Sequence, residues 1–241
     1  MRTTTRPRLL LVEDDAVSAA FLGDVLRALP ADVDVAGSVG AAMAVADAGQ
    51  ALWLFDRWLP DGNGIDLLRA LRRLGLDVPA LALTADADAP ARAAFSAAGF
   101  SGVLAKPVAA TVLQAEVRRW LDADTVVADD DAKTLAFDAH AALPAWDDTA
   151  ARAALGDDTL VARMRTLFLA ELPVQHADVL AASRHGRPDE ARAVLHRMKA
   201  GCGFVGATAL LAAVRTLSEA PGCPRARADF DHAALALLPP R

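Results

Sequence analysis

Glu13, Asp14, Asp15 and Asp56 are carboxylates, Thr84 carries a hydroxyl and Lys106 an ammonium, and each stands at the end of a short apolar run. Carboxylates gathered in one place repel one another unless a hard cation lies between them. Mg²⁺, which takes oxygen ligands and keeps several waters, suits such a group. An aspartate beside that ion can act as a nucleophile toward phosphorus, while a hydroxyl and an ammonium hold the equatorial oxygens of the transferring group. The same residues also suit local roles, with Glu13 to Asp15 capping a helix, Asp56 opening a turn and Lys106 solvated at the surface. Any one of them alone fits the local role better; the ordered set, one after each successive run, favours phosphoryl chemistry.

A second centre is His196. The five histidines, His140, His176, His185, His196 and His232, show no spacing with a carboxylate that suggests zinc or a hydrolase triad. Lys199 follows His196 by three residues and shares its face on a helix, where an ammonium favours the neutral imidazole and later neutralises a phosphoryl group on the ring. Gly201, Gly203 and Gly206 come next. Glycine costs a helix interior about 1 kcal/mol relative to alanine, so the cluster marks a helix end or a surface that another backbone approaches. Against this stands a plain solvated basic face made by Arg192, His196, Arg197 and Lys199.

The hydrophobic pattern supplies the elements that would position these groups. Residues 8–121 alternate apolar runs at 9–12, 33–36, 51–55, 80–83 and 102–105 with helical patterns near 15–29, 39–48, 64–74, 89–98 and 108–121. Strand–helix alternation predicts an α/β doubly wound, five-stranded parallel sheet, whose carboxyl ends gather functional groups along one edge. Residues 122–148 hold eight Asp and one Lys and are expected to be an acidic linker. Residues 149–241 show only helical periodicity, broken at 186–189, 201–206 and 221–224, which predicts about four helices in a bundle-like all-α domain. The expected division is 1–121, 122–148 and 149–241.

Composition narrows the function. With 25 Lys and Arg against 31 Asp and Glu, the net charge is −6, so the general attraction to nucleic acid is missing and no nucleic-acid partner is expected. The C-terminal helices also show no basic recognition helix after a short turn. Cys202 and Cys223 are too few for a disulfide framework, which suggests a reducing cytosol. Neither a signal-peptide core nor a membrane-length apolar stretch is found, so the chain is expected to be cytoplasmic and without a membrane partner.

The motifs Leu11-Val12-Glu13-Asp14-Asp15, Asp56-Arg57-Trp58-Leu59-Pro60-Asp61-Gly62-Asn63-Gly64, Leu83-Thr84-Ala85 and Ala105-Lys106-Pro107 resemble the receiver domain of two-component response regulators, with its flavodoxin-like fold. The resemblance covers residues 8–121. It implies that Asp56 is the phosphoacceptor and that Glu13 and Asp14 form the acidic pair. By the same resemblance Asp14, Asp56 and the Trp58 carbonyl ligate Mg²⁺, Thr84 and Lys106 contact the phosphoryl group, and Pro107 follows a cis peptide. One departure is Val103, where receivers commonly carry the Tyr or Phe of a rotamer switch, so the resemblance does not extend to the familiar aromatic switch on phosphorylation.

His196-Arg197-Met198-Lys199-Ala200-Gly201-Cys202-Gly203-Phe204-Val205-Gly206-Ala207 resembles the signature of histidine phosphotransfer domains, with Ala200 where Gly is usual and Phe204 where Asn is frequent. Residues 167–173 look like that family's long second helix. Together the resemblances imply a phosphorelay protein that takes phosphate from a sensor histidine kinase at Asp56 and exchanges it through His196 with a receiver, its own or another's. It would not be an ATP-dependent kinase, since neither a Gly-rich nucleotide lid nor a Walker loop is found. The alternative is a phosphorylation-switched binding regulator or phosphate sink whose helical part only docks a partner. A further expectation is that Asp129-Asp130-Asp131 screens the face around His196.

Overall fold

Five of the apolar runs form strands because their side chains are needed on both sides of one sheet. In a computed structural model, described for residues 6–85, 88–121 and 143–238, these are β1 (Arg8–Val12), β2 (Asp32–Ala36), β3 (Gln50–Asp56), β6 (Ala80–Thr84) and β7 (Gly102–Ala105). They pair in parallel in the order β2-β1-β3-β6-β7. The central strands β1, β3 and β6 are buried along nearly their whole length, as a sheet covered on both faces requires. A short hairpin that the periodicity did not signal, β4 (Trp58–Leu59) with β5 (Gly62–Asn63), follows β3. The doubly wound expectation for this segment holds.

The helices are α1 (Ala16–Arg27), α2 (Val39–Val45), α3 (Gly64–Arg73), α4 (Ala89–Ala97) and α5 (Ala110–Leu121). Four of the five begin on a side-chain cap: Asp15 accepts from the Ser18 N–H, Ser38 from Ala41, Asn63 from Asp66 and Asp88 from Ala91. Between sheet and helices, Trp53 stacks on Phe55 with centroids 5.6 Å apart, and Phe100 meets Phe95 and Phe55 edge-on. Gly64 is required where it stands, because a Cβ there would collide with the Asp56 carbonyl oxygen.

The chain divides into two compact units, residues 1–132 and 133–241. Within the second, the described residues form α6 (Asp148–Leu155), α7 (Asp158–Arg184), α8 (Pro188–Val205), α9 (Thr208–Glu219) and α10 (Pro224–Leu235), five helices where about four were expected. The extra one, α6, starts on an Asp147 cap within the acidic stretch. Its helix packs against α7 and α8; α8 also packs against α7 and α9, and α10 against α9 and α7. Phe168, Leu195, Met198, Phe204, Val214 and Phe230 fill the core.

The glycine cluster divides differently from the expected break. Gly201 and Gly203 lie inside α8, and only Gly206 ends it, with φ +72° in the left-handed region that glycine accepts. A Cβ on Gly206 would also strike the Asp147 carbonyl oxygen, and the Asp147 N–H donates to the Gly206 carbonyl at 2.7 Å. Residues 122–142, including the expected screen at Asp129 to Asp131, and His140, lie outside the described residues.

Candidate functional site

Strand β1 pairs with both β2 and β3, so the crossovers diverge at the carboxyl ends of β1 and β3. That is the crevice where open α/β sheets bind ligands. Glu13 follows β1, Asp56 ends β3, Thr84 ends β6 and Lys106 follows β7. All four are almost fully enclosed: Glu13 is 2% exposed, Asp56 4%, Thr84 0% and Lys106 7%. The local alternative survives for Asp15, which caps α1, and for Asp56 as the residue before the hairpin, and fails for Glu13, which caps nothing, and for Lys106, which is no solvated surface charge.

Lys106 bridges the two carboxylates. Its Nζ donates to Asp56 Oδ2 at 2.9 Å and, through a very short contact, to Glu13 Oε2. The Arg57 N–H donates to Asp56 Oδ1 at 2.6 Å, so both oxygens of Asp56 are held. The Lys106–Pro107 peptide is cis. Burial by itself would lower the Lys106 ammonium, but the charges of Asp56 and Glu13 outweigh it and hold the proton on above the usual lysine value. Glu13 is pushed well above the ordinary carboxylate range, first by burial and then by the charge of Asp56, with Lys106 pulling the other way.

One ligand oxygen from each of Glu13, Asp14 and Asp56 lies within 4.8 Å of the others, the single group of this kind among the described residues. Glu13 Oε1 is buried without a hydrogen-bond partner. Three carboxylates with one ammonium among them leave negative charge in excess, and an orphaned buried oxygen is costly unless something accepts its lone pairs. A hard cation fits both observations.

Trp58 opens the hairpin two residues after Asp56. The residue is 45% exposed, and the Arg57 guanidinium lies over its ring at 5.1 Å and over Phe95 at 5.8 Å. Val103 is half-buried and packs on the core near the aromatic cluster, while Phe100, three residues earlier, is the aromatic that stands under α4. Sequence reasoning missed two groups. The Arg57 backbone N–H leaves no trace in residue types. Asp61, quoted only as part of a motif, accepts from the Val39 and Gly40 N–H groups at 2.7 and 2.8 Å.

In the second unit His196 and Lys199 lie one turn apart on α8, both half-buried between the buried Leu195, Met198 and Ala200. The face is thus less solvated than the plain surface reading holds. Of the other described histidines, His176 binds Asp231 across α7 and α10 at 2.7 Å and His185 bonds the Ala181 carbonyl. Cys202 is buried and Cys223 exposed, and they are not joined. No helix among the described residues is long and apolar enough to cross a membrane.

Residues 9–118 match the response regulator receiver domain family, and that segment is a receiver domain. Among similar proteins are the probable transcriptional regulatory protein y4xI of Sinorhizobium fredii, 36% identical over 50% of this chain and 53% of that protein, and the DNA-binding response regulator MtrA of Mycobacterium tuberculosis, 38% identical over 48% and 50%. The KDP operon transcriptional regulatory protein KdpE of Escherichia coli is 34% identical over 46% and 49%. The chain therefore spans about half the length of the curated relatives it matches. The non-phosphorylated HemR receiver domain of Leptospira biflexa aligns with a TM-score of 0.47 at 29% identity, over 51% of this chain and all of that one.

These relatives overturn the expectation of no nucleic-acid partner, since MtrA is by name a DNA-binding regulator and KdpE a transcriptional one. Net charge summed over a whole chain bears on long-range, non-specific attraction and does not address a local recognition surface. The acidic total is no basis for the exclusion.

Proposed function

We propose that this chain is a phosphorelay protein in which Asp56 accepts a phosphoryl group from a sensor kinase phosphohistidine and His196 exchanges one with an aspartyl phosphate. The observation that carries it is the enclosure of Asp56 with Lys106, Glu13 and Thr84 at one strand-end crevice. In the first transfer an Asp56 carboxylate oxygen forms the O–P bond as the N–P bond of the donor breaks, and the departing imidazole takes a proton from solvent. Lys106 holds its ammonium against the oxygen side of Asp56 throughout, and Thr84 offers a hydroxyl to the equatorial oxygens. Glu13, Asp14 and Asp56, with the Trp58 carbonyl, would hold Mg²⁺, which supplies positive charge against the phosphoryl oxygens when bound.

In the second transfer a ring nitrogen of His196 forms the N–P bond as the Asp O–P bond breaks, which regenerates a carboxylate. Lys199, one turn along the same face, would set its ammonium against the phosphorylated ring. The packing of α8 on α7 and α9, with α10 closing back on α7, supports a four-helix phosphotransfer bundle. The protein acts by phosphotransfer and not as an ATP-dependent kinase.

Incorporation of label from a small acyl phosphate with Mg²⁺, sorted by acid and base lability, tests this in the intact chain, Asp56→Asn and His196→Gln. Base-labile aspartyl phosphate that later appears as acid-labile histidyl phosphate, and is lost in Asp56→Asn, supports the relay. Label that stays on Asp56, together with no acceptance by His196 from any phosphorylated receiver, removes it in favour of a switched binding module.

A further inference from the structure

Asp61 lies at the turn of the hairpin Trp58–Asn63 and is exposed, yet both of its carboxylate oxygens are used. Oδ1 accepts from the Val39 N–H at 2.7 Å and Oδ2 from the Gly40 N–H at 2.8 Å, the first two residues of a helix more than twenty residues away in sequence. These bonds hold its pKa below the ordinary aspartate value of 3.8, so the grip is made by the carboxylate. The adjoining surfaces are in close contact, since a Cβ on Gly62 would lie 3.1 Å from Val39.

Each loop that Asp61 joins leads to one of the two buried carboxylates. On one side the hairpin is closed by the Gly64 N–H on the Arg57 carbonyl, and the Arg57 N–H is shared between Asp56 Oδ1 at 2.6 Å and the Leu83 carbonyl at 3.1 Å. On the other, the Ala36 carbonyl that precedes α2 accepts from the Glu13 N–H at 2.9 Å, and Gly37 packs over the Glu13 carbonyl. Leu59 seats the base of the six-residue hairpin in the core, and the hydrogen bonds of Asp61 tie its tip to the neighbouring loop.

We infer that Asp61 is a positioning residue: by joining the hairpin tip to the start of α2 it fixes the Arg57 peptide against Asp56 and sets the spacing of the Glu13–Asp14–Asp56 cation pocket. It does this without touching any of the three. The metal part rests on the proposed Mg²⁺ reading; the Arg57 part does not.

Ser38 supplies the control, because its Oγ caps the same helix through the Ala41 N–H without touching the hairpin. The full-length protein and its Asp61→Ala and Ser38→Ala variants are compared by amide hydrogen exchange and by Mg²⁺ titration read from the Asp14 and Arg57 amide resonances. Asp61→Ala is expected to speed Arg57 amide exchange at least tenfold and weaken Mg²⁺ binding at least fivefold, while Ser38→Ala changes each less than twofold although α2 is weakened in both. Equal Arg57 exchange in Asp61→Ala and the unaltered protein, or an equal effect from Ser38→Ala, overturns the inference. A chain with no Mg²⁺ response overturns the metal reading instead, and the exchange comparison still decides the role of Asp61.

Discussion

At both ends of its sheet this receiver sets one basic side chain between two carboxylates, and the two ends treat the arrangement in opposite ways. At the amino end Arg8 meets Asp34 at 2.9 Å and Asp47 at 2.7 Å, with all three side chains more than 40% exposed. Gln50 completes that cluster, accepting from the Trp53 Nε1–H and the Asp47 N–H and donating to Asp34 and the Val45 carbonyl. At the carboxyl end Lys106 meets Asp56 and Glu13 with all three side chains at 5% exposure or less, and Glu13 Oε1 has no partner. Solvated, satisfied pairs of the first kind are worth little and cost little. Buried, partly satisfied charges are a net cost, retained where they serve chemistry.

The comparison breaks most completely if Lys106 proves dispensable. Lys106→Met leaves Glu13 and Asp56 enclosed without a cation, and loss of one partner of a buried ion pair costs on the order of 3 kcal/mol. Denaturant unfolding should show a loss of that size at neutral pH, reduced by added Mg²⁺, together with at least a hundredfold slower labelling by acyl phosphate. An unfolding free energy within error of the unaltered protein would mean that the site is far better solvated than its burial implies.

A smaller effect with reversed sign sharpens the contrast. Glu13→Gln removes a buried charge but keeps an oxygen for Lys106, so it should stabilise the fold by about 1 kcal/mol while weakening Mg²⁺ binding. Asp47→Asn, at the other end, should destabilise slightly. Thermal melts of the two variants side by side give the answer, and a loss of stability in Glu13→Gln would refute the view that this carboxylate is held at a cost.

Acid titration separates the ends again. The Glu13 pKa is raised in the folded chain, so its contribution to stability is full below the ordinary value of 4.5 and is lost as pH rises through the folded value. The Asp47 pKa is lowered, by the Arg8 hydrogen bond first and then by the Gly49 N–H, so its contribution is present above 3.8 and is lost as pH falls through the folded value. The stability advantage of Glu13→Gln over the unaltered chain should therefore grow with pH above 4.5, and the deficit of Asp47→Asn should shrink below 3.8. Parallel curves would contradict both shifts.

Much of the receiver was legible because a parallel sheet writes itself as apolar runs, and Asp56, Thr84 and Lys106 each sit at the end of one. What was not legible depends on backbone direction and distance. The β4–β5 hairpin is too short to show a period, the Arg57 N–H belongs to every residue type, and the partners of Asp61 are remote in sequence. In the helical unit Gly206 was readable as a helix end, but Gly201 and Gly203 were not distinguishable from it, since composition does not tell an αL glycine from one inside a helix. Asp147 and Asp148 looked like linker charge because a capping aspartate and a solvated one are the same letter until the helix behind them is seen.

The smallest expected effect lies at the exposed triad. Arg8→Ala should lower stability slightly in dilute buffer, and the difference should vanish at about 1 M salt, where the screening length falls to about 3 Å. Without Arg8, Gln50 keeps its bonds to the Trp53 ring N–H and to the Val45 carbonyl, since neither uses the guanidinium, so the sheet end keeps these hydrogen bonds. Salt should have far less influence on the Lys106→Met deficit, because ions do not reach a pocket whose side chains are 5% exposed or less. Melts at low and high salt on both variants would show whether burial, rather than the number of charges, separates the two ends. Equal salt dependence would place both clusters in the same dielectric and remove the distinction.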